Sequence, residues 1–119
     1  MKLFDLLKKK LLKNRPEVTG DFIVDYYNTH DEDVRLLSKH GRVEFLTTVK
    51  YIEQYLKDGM KIMEIGAATG RYSHYFAQKG FEVDAVELIE HNIEVFKAKT
   101  LPGEKVCIKQ GNALDLSDY

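Results

Sequence analysis

Apolar and polar positions follow a helical period through the first half of the chain. Leu3, Leu7 and Leu11, with Phe4 beside them, recur at helical spacing among lysines. This is the pattern of an amphipathic helix, which either docks on its own domain or lies at an interface. Asn14-Arg15-Pro16 stops it, because proline lacks an amide donor and restricts the residue before it, and a hinge runs on to about Gly20. Phe22-Ile23-Val24-Asp25-Tyr26-Tyr27 is too short to assign by period and is expected to be partly buried, helical or extended. Thr29-His30-Asp31-Glu32 matches a capping box, which predicts a helix through Val34, Leu36 and Leu37 to Lys39 with Gly41 as its left-handed terminator. A second helix carries Phe45, Leu46, Val49, Ile52 and Leu56 on one face and is expected to end near Lys57-Asp58-Gly59.

After Gly59 the pattern changes to short apolar runs alternating with helical segments. Strands are predicted over 61–65, 82–87 and 105–110, with helices over 70–79 and 91–99 between them. Such alternation with short connections implies right-handed βαβ units and an α/β architecture built on a parallel sheet. Gly80 and Leu101-Pro102-Gly103 punctuate the helix ends. The chain therefore divides into an N-terminal helical cap, 1–59, and a strand-helix unit, 60–119, within one structural unit.

Composition narrows the function classes. A length of 119 residues suits one hydrophobic core. Eighteen basic residues against nineteen acidic ones give a formal net charge of -1, so no global field attracts nucleic acid or an anionic membrane, and a small ligand fits better. Cys107 is the single cysteine, which excludes an internal disulfide or a cysteine metal cluster and suggests a reducing, cytoplasmic setting. Lys8-Lys9-Lys10 interrupts the leading apolar stretch before it reaches signal-peptide length, and no transmembrane run occurs. No metal site is expected.

The chemistry centres on the turn after the first strand. A chain that leaves an apolar strand, turns within a few small residues and enters a helix presents backbone N–H groups to a ligand. From Gly66, the third position is Ala68 and the sixth Arg71, so the G-x-G-x-x-G dinucleotide pattern fails twice; no Gly-Lys-Ser/Thr occurs, so a P-loop is absent. Glu64-Ile65-Gly66-Ala67-Ala68-Thr69-Gly70 instead resembles motif I of the class I S-adenosylmethionine-dependent methyltransferases, with Ala68 in place of the middle glycine. The resemblance implies a Rossmann-like parallel sheet, partial here with strands one to three, and S-adenosyl-L-methionine as cofactor. Glu64, Gly66, Ala67, Ala68 and Gly70 would cradle its methionine part. Glu87 would accept the ribose hydroxyls and Leu88 would contact the adenine face. Gln110-Gly111-Asn112-Ala113 is similar to the family's Gly-Asp-Ala turn, so Asn112 would meet the adenine amino group and Ala113 would offer a backbone amide.

Ordinary readings stand beside these. Arg71 reaches either the cofactor carboxylate or solvent, and Tyr26, Tyr27 and His30 either line the pocket or serve packing and capping. Thr69, Tyr72 and His74 lack the context of a nucleophile elbow, and no catalytic residue is assigned. The family's sheet resembles the order 3-2-1-4-5-7-6, and this chain stops at Tyr119 ahead of strand four. Strand one is therefore expected at a sheet edge, in a truncated domain or in a homodimer paired through that edge. The acceptor of the methyl group is unassigned, with a small molecule favoured. The alternative to a methyltransferase is a non-catalytic module that self-associates through strand one.

Overall fold

The alternating segments after Gly59 fold as a three-stranded parallel sheet in the order β1-β2-β3. A computed structural model of the protein describes residues 20–29, 34, 35 and 37–119. The predicted leading helix and the centre of the capping box, His30 to Glu32, lie outside the described residues. The sheet consists of β1 (Lys61–Ile65), β2 (Glu82–Glu87) and β3 (Val106–Gln110). Its helices are α1 (Phe22–Thr29), α2 (Lys39–Glu53), α3 (Arg71–Gln78) and α4 (Glu90–Lys99). Ile62 pairs with Val83, and Val83 with Val106, so β2 is the central strand.

The N-terminal segments differ from their prediction in two places, at Gly41 and at the end of α2. The cluster at 22–27 is helical because Asp21 Oδ1 accepts the backbone N–H of Ile23 at 2.9 Å, which caps α1, and it is partly buried as expected: Phe22 is 82% exposed, while Val24 and Asp25 are half-buried. Gly41 is not a terminator. It lies buried in the first turn of α2, where its N–H donates to the Ser38 hydroxyl at 3.1 Å, so the serine cap sets this helix start. α2 ends at Glu53, ahead of the expected stop; Val49 is buried and Phe45, Ile52 and the following Leu56 pack beside it, while Leu46 points to solvent.

The two hydrophobic clusters lie on one face of the sheet, and Val86, 1% exposed, is buried on the other. Ile62, Val83 and Val106 meet Val49 of α2 and Phe76 and Ala77 of α3, and Ala85 and Ile108 meet Phe96 of α4. A period of two sends Met63, Asp84 and Cys107 to the opposite face, where they are exposed, and β1 forms an edge with Met63 44% and Ile65 42% exposed. The Tyr75 hydroxyl donates to Glu53 Oε1 at 2.8 Å and Lys79 Nζ lies 2.5 Å from the same oxygen, which ties α3 to the end of α2. Among the described residues no helix is long and apolar enough to cross a membrane.

Candidate functional site

The C-terminal ends of β1 and β2 meet at the turn Gly66-Ala67-Ala68-Thr69-Gly70. Backbone donors at its start are committed to the neighbouring strand, since the N–H groups of Gly66 and Ala67 both donate to the Val86 carbonyl, at 2.8 and 3.1 Å. Gly66 and Gly70 have φ of 76° and 89°, values that suit glycine. Ala68 shares this left-handed region at φ 50°, so its methyl group is accommodated with some backbone strain. Gly70 has a second constraint: a Cβ built there collides with the Phe96 ring.

Two acids brace this turn from below. Gly70 caps α3 without a side chain, and Glu64 of β1 supplies the missing acceptor for the Ser73 backbone N–H while the Ser73 hydroxyl donates to its Oε2 in a short hydrogen bond. Burial raises the Glu64 carboxyl above its ordinary 4.5, and the nearby Glu87 charge adds to the rise, against the lowering effect of the Ser73 bonds and His74. Glu87, only 6% exposed, accepts the Ala68 N–H on Oε2 at 2.7 Å. Its Oε1 accepts the Ile89 N–H at 2.9 Å and lies 3.4 Å from the Asn92 amide nitrogen. The helix N-terminus is thus served by the protein's own carboxylate, and the free amides expected from sequence are largely taken up within the turn.

The third segment approaches through the backbone. Gly111 N–H donates to the Glu87 carbonyl at 3.0 Å, and a Cβ on Gly111 would lie 2.8 Å from Val86 Cγ1, so only glycine lets β3's exit pass this close. Beyond it Asn112 and Ala113 are exposed, and Asn112 Oδ1 accepts its own chain's Leu114 N–H at 2.9 Å. Leu88 is half-buried, with its carbonyl accepting from Gln110 Nε2 at 3.0 Å.

Glu64, Gly66, Ala67, Ala68, Gly70 and Glu87 therefore converge on one turn, with Leu88, Asn112 and Ala113 at its strand-three side. Arg71 turns its guanidinium over the Phe45 ring at 4.2 Å, facing α2. Tyr26 is exposed beside Phe22, while the side chain of Tyr27 and all of His30 lie outside the described residues. Among the described residues no group of three metal-ligating side chains forms. Sequence reasoning missed Ser73 and Asn92. Each is a buried polar residue on an otherwise apolar helix face, and that interruption is the signal that could have found them.

No family profile and no curated protein match this chain. Solved structures do. The bifunctional kinase-methyltransferase WbdD superposes with a TM-score of 0.51 at 21% identity over 87% of this chain and 23% of the WbdD chain. Its monomeric form gives 0.51 at 20% identity, over 87% of this chain and 25% of that one. The likeness is one of fold: the three-stranded parallel α/β sheet is similar to part of the WbdD chain. A weaker likeness, with a TM-score of 0.49 and 22% identity over 56% of this chain and 29% of the other, is to the glycopeptide N-methyltransferase MtfA complexed with S-adenosyl-L-methionine. The chain spans about a quarter of the WbdD chain it matches.

Proposed function

We propose that this chain binds S-adenosyl-L-methionine at the Gly66–Gly70 turn and forms the cofactor-binding part of a methyltransferase. The observation that carries the proposal is the convergence of two acids, the half-buried Glu64 and the buried Glu87, on one glycine turn at the end of two parallel strands. Adjacent carboxylates create a negative site, which favours a ligand bearing sulfonium and ammonium charges over a phosphate. When bound, the cofactor supplies an electrophilic methyl group for in-line transfer to an acceptor.

In this reading the chain's own residues bind and orient. Gly66, Ala67, Ala68 and Gly70 shape the wall of the methionine side, with Glu64 buttressing α3 behind it. Glu87 Oε2 accepts one protein donor and has a second lone pair that a ribose hydroxyl would use. Leu88 offers an apolar surface to adenine, and Asn112 and Ala113 offer polar atoms to its edge. The segment 60–119 is the binding unit and 1–59 its helical cap. The near-neutral charge favours a small acceptor, and the lone cysteine fits a cytoplasmic setting. Calorimetric titration with S-adenosylhomocysteine tests the proposal: binding that weakens at least tenfold in Glu87→Ala is expected. A folded chain that binds no ligand refutes it.

A second reading has its own observation, the exposed apolar side chains Met63 and Ile65 on edge strand β1. A non-catalytic module that pairs through this edge into a homodimer would cover them. Sedimentation would show a dimer lost in Met63→Lys; a monomer at every concentration excludes it.

A further inference from the structure

Asn92 is a polar residue in an apolar place. It lies in the first turn of α4, 4% exposed, on a helix whose other buried side chains are Ile93 and Phe96 and whose start is the buried Ile89. Burying an amide costs stability unless its hydrogen bonds are made, and asparagine is a poor helix former, so an apolar side chain would serve the packing better. The amide faces the acid that closes β2: Asn92 Nδ2 lies 3.4 Å from Glu87 Oε1. The nitrogen belongs on that side, because the amide oxygen would set two acceptors against each other. Oε1 also accepts the Ile89 N–H at 2.9 Å, and Ile89 opens α4 with no side-chain cap of its own. Oε2 takes the Ala68 N–H at 2.7 Å from the glycine turn. The two oxygens thus serve different elements, Oε1 the start of α4 and Oε2 the turn.

We propose that Asn92 is a positioning residue for Glu87, fixing the plane of its carboxyl group so that the second lone pair of Oε2 meets the ribose of the cofactor. Two donors on Oε1, one from the backbone and one from Asn92, leave the group a single orientation, and a supporting contact of this kind is what holds a binding group to its productive geometry. Without the amide, Oε1 keeps the Ile89 N–H alone, the carboxyl group gains freedom to rotate, and the ligand has to order it on binding. The effect falls on the hydroxyl that Oε2 accepts, so Asn92 sets the preference for ribose over deoxyribose while acting through the carboxyl group alone. The inference rests on the cofactor reading given above and adds to it the selection of the sugar.

Asn92→Ala tests it in the full chain, with calorimetric titration of two ligands, S-adenosylhomocysteine and its 2′-deoxyribose analogue. A hydroxyl bonded to a charged acceptor contributes about tenfold or more in affinity, so wild type should prefer the ribose ligand by that factor. In Asn92→Ala the preference should fall to about twofold or less, with the deoxyribose analogue bound nearly as well as by wild type. A merely structural role would weaken both ligands by one factor and keep their ratio, and that result overturns the positioning role while the cofactor reading stands. A wild type that binds both ligands equally does the same. A folded wild type that binds neither refutes the cofactor reading and this inference with it. Should Asn92→Ala not fold, Asn92→Leu, which fills the space without a donor, is read in the same way.

Discussion

Gly66 and Gly70 share a residue type, a turn and a positive φ, yet they should respond very differently to alanine. At Gly66 nothing lies within 4 Å of an added Cβ, so the substitution meets backbone strain alone. Left-handed geometry costs an L-residue about 1–2 kcal/mol. The lost freedom of the unfolded chain returns about 0.4–1 kcal/mol. The net cost of Gly66→Ala is therefore about 0–1.6 kcal/mol. Gly70→Ala carries the same backbone balance and also drives a methyl group into the Phe96 ring, with His74 Cδ2 at 2.9 Å. Phe96 is 1% exposed and cannot swing into solvent. Overpacking of this kind adds about 1–3 kcal/mol, giving a total of roughly 1–5 kcal/mol. Urea denaturation at one pH, with the slope checked for constancy, measures both variants. Equal losses, or a larger loss at Gly66, would refute the reasoning, because the packing of Phe96 would then have no part in fixing this turn. Ligand affinity should rank in the opposite sense, since Gly66 opens onto the side proposed to receive the cofactor.

Three further outcomes follow from the same geometry. Ala68→Gly relieves a left-handed alanine while keeping the N–H bond to Glu87, and should raise stability by about 0.5–1 kcal/mol in the same assay; a clear loss would contradict it. Ser38→Ala removes the acceptor at the start of α2 and should cost about 0.5–2 kcal/mol in thermal or urea unfolding, whereas no change would show that α2 does not depend on its cap. For Glu64 the folded carboxyl binds its proton more tightly than the unfolded one, so this group withdraws stability as pH rises from 4.5 towards the folded value. Glu64→Gln should accordingly gain stability relative to wild type between about pH 4 and 7, and a constant difference across that range would exclude a raised carboxyl.

Much of the strand-helix half was legible because its signals are local. The strand-helix alternation after Gly59, the failed dinucleotide spacing and the acid closing β2 could all be read directly, and the strands fall within a residue of their predicted bounds. The N-terminal half was less legible. Gly41 looked like a helix stop, but a glycine three residues after a serine also fits a first turn, and which applies depends on the Ser38 cap. The cluster at 22–27 was too short for its period to say which side chains face inward, and α1 turns Phe22 and Ile23 outward. Within the site, residue types and order were readable while engagement was not. Glu64 binds Ser73 nine residues away and Glu87 binds Ala68 across nineteen, contacts that exist only once β1 and β2 lie side by side. His74 and Glu104, thirty residues apart and in contact at 2.7 Å, had no sequence signal.

The central place of β2 sets an order of opening. Its amides and carbonyls are bonded on both sides, to β1 and to β3, so hydrogen exchange from Val83 to Val86 should require the whole sheet to come apart. The glycine turn hangs from edge strand β1 and is joined to its neighbour through a few backbone bonds, so it can exchange by small local excursions. Glu87 is thereby anchored to the slowest-exchanging strand while the loop it holds belongs to a faster one. Its carboxylate acts as a fixed post to which a breathing loop returns.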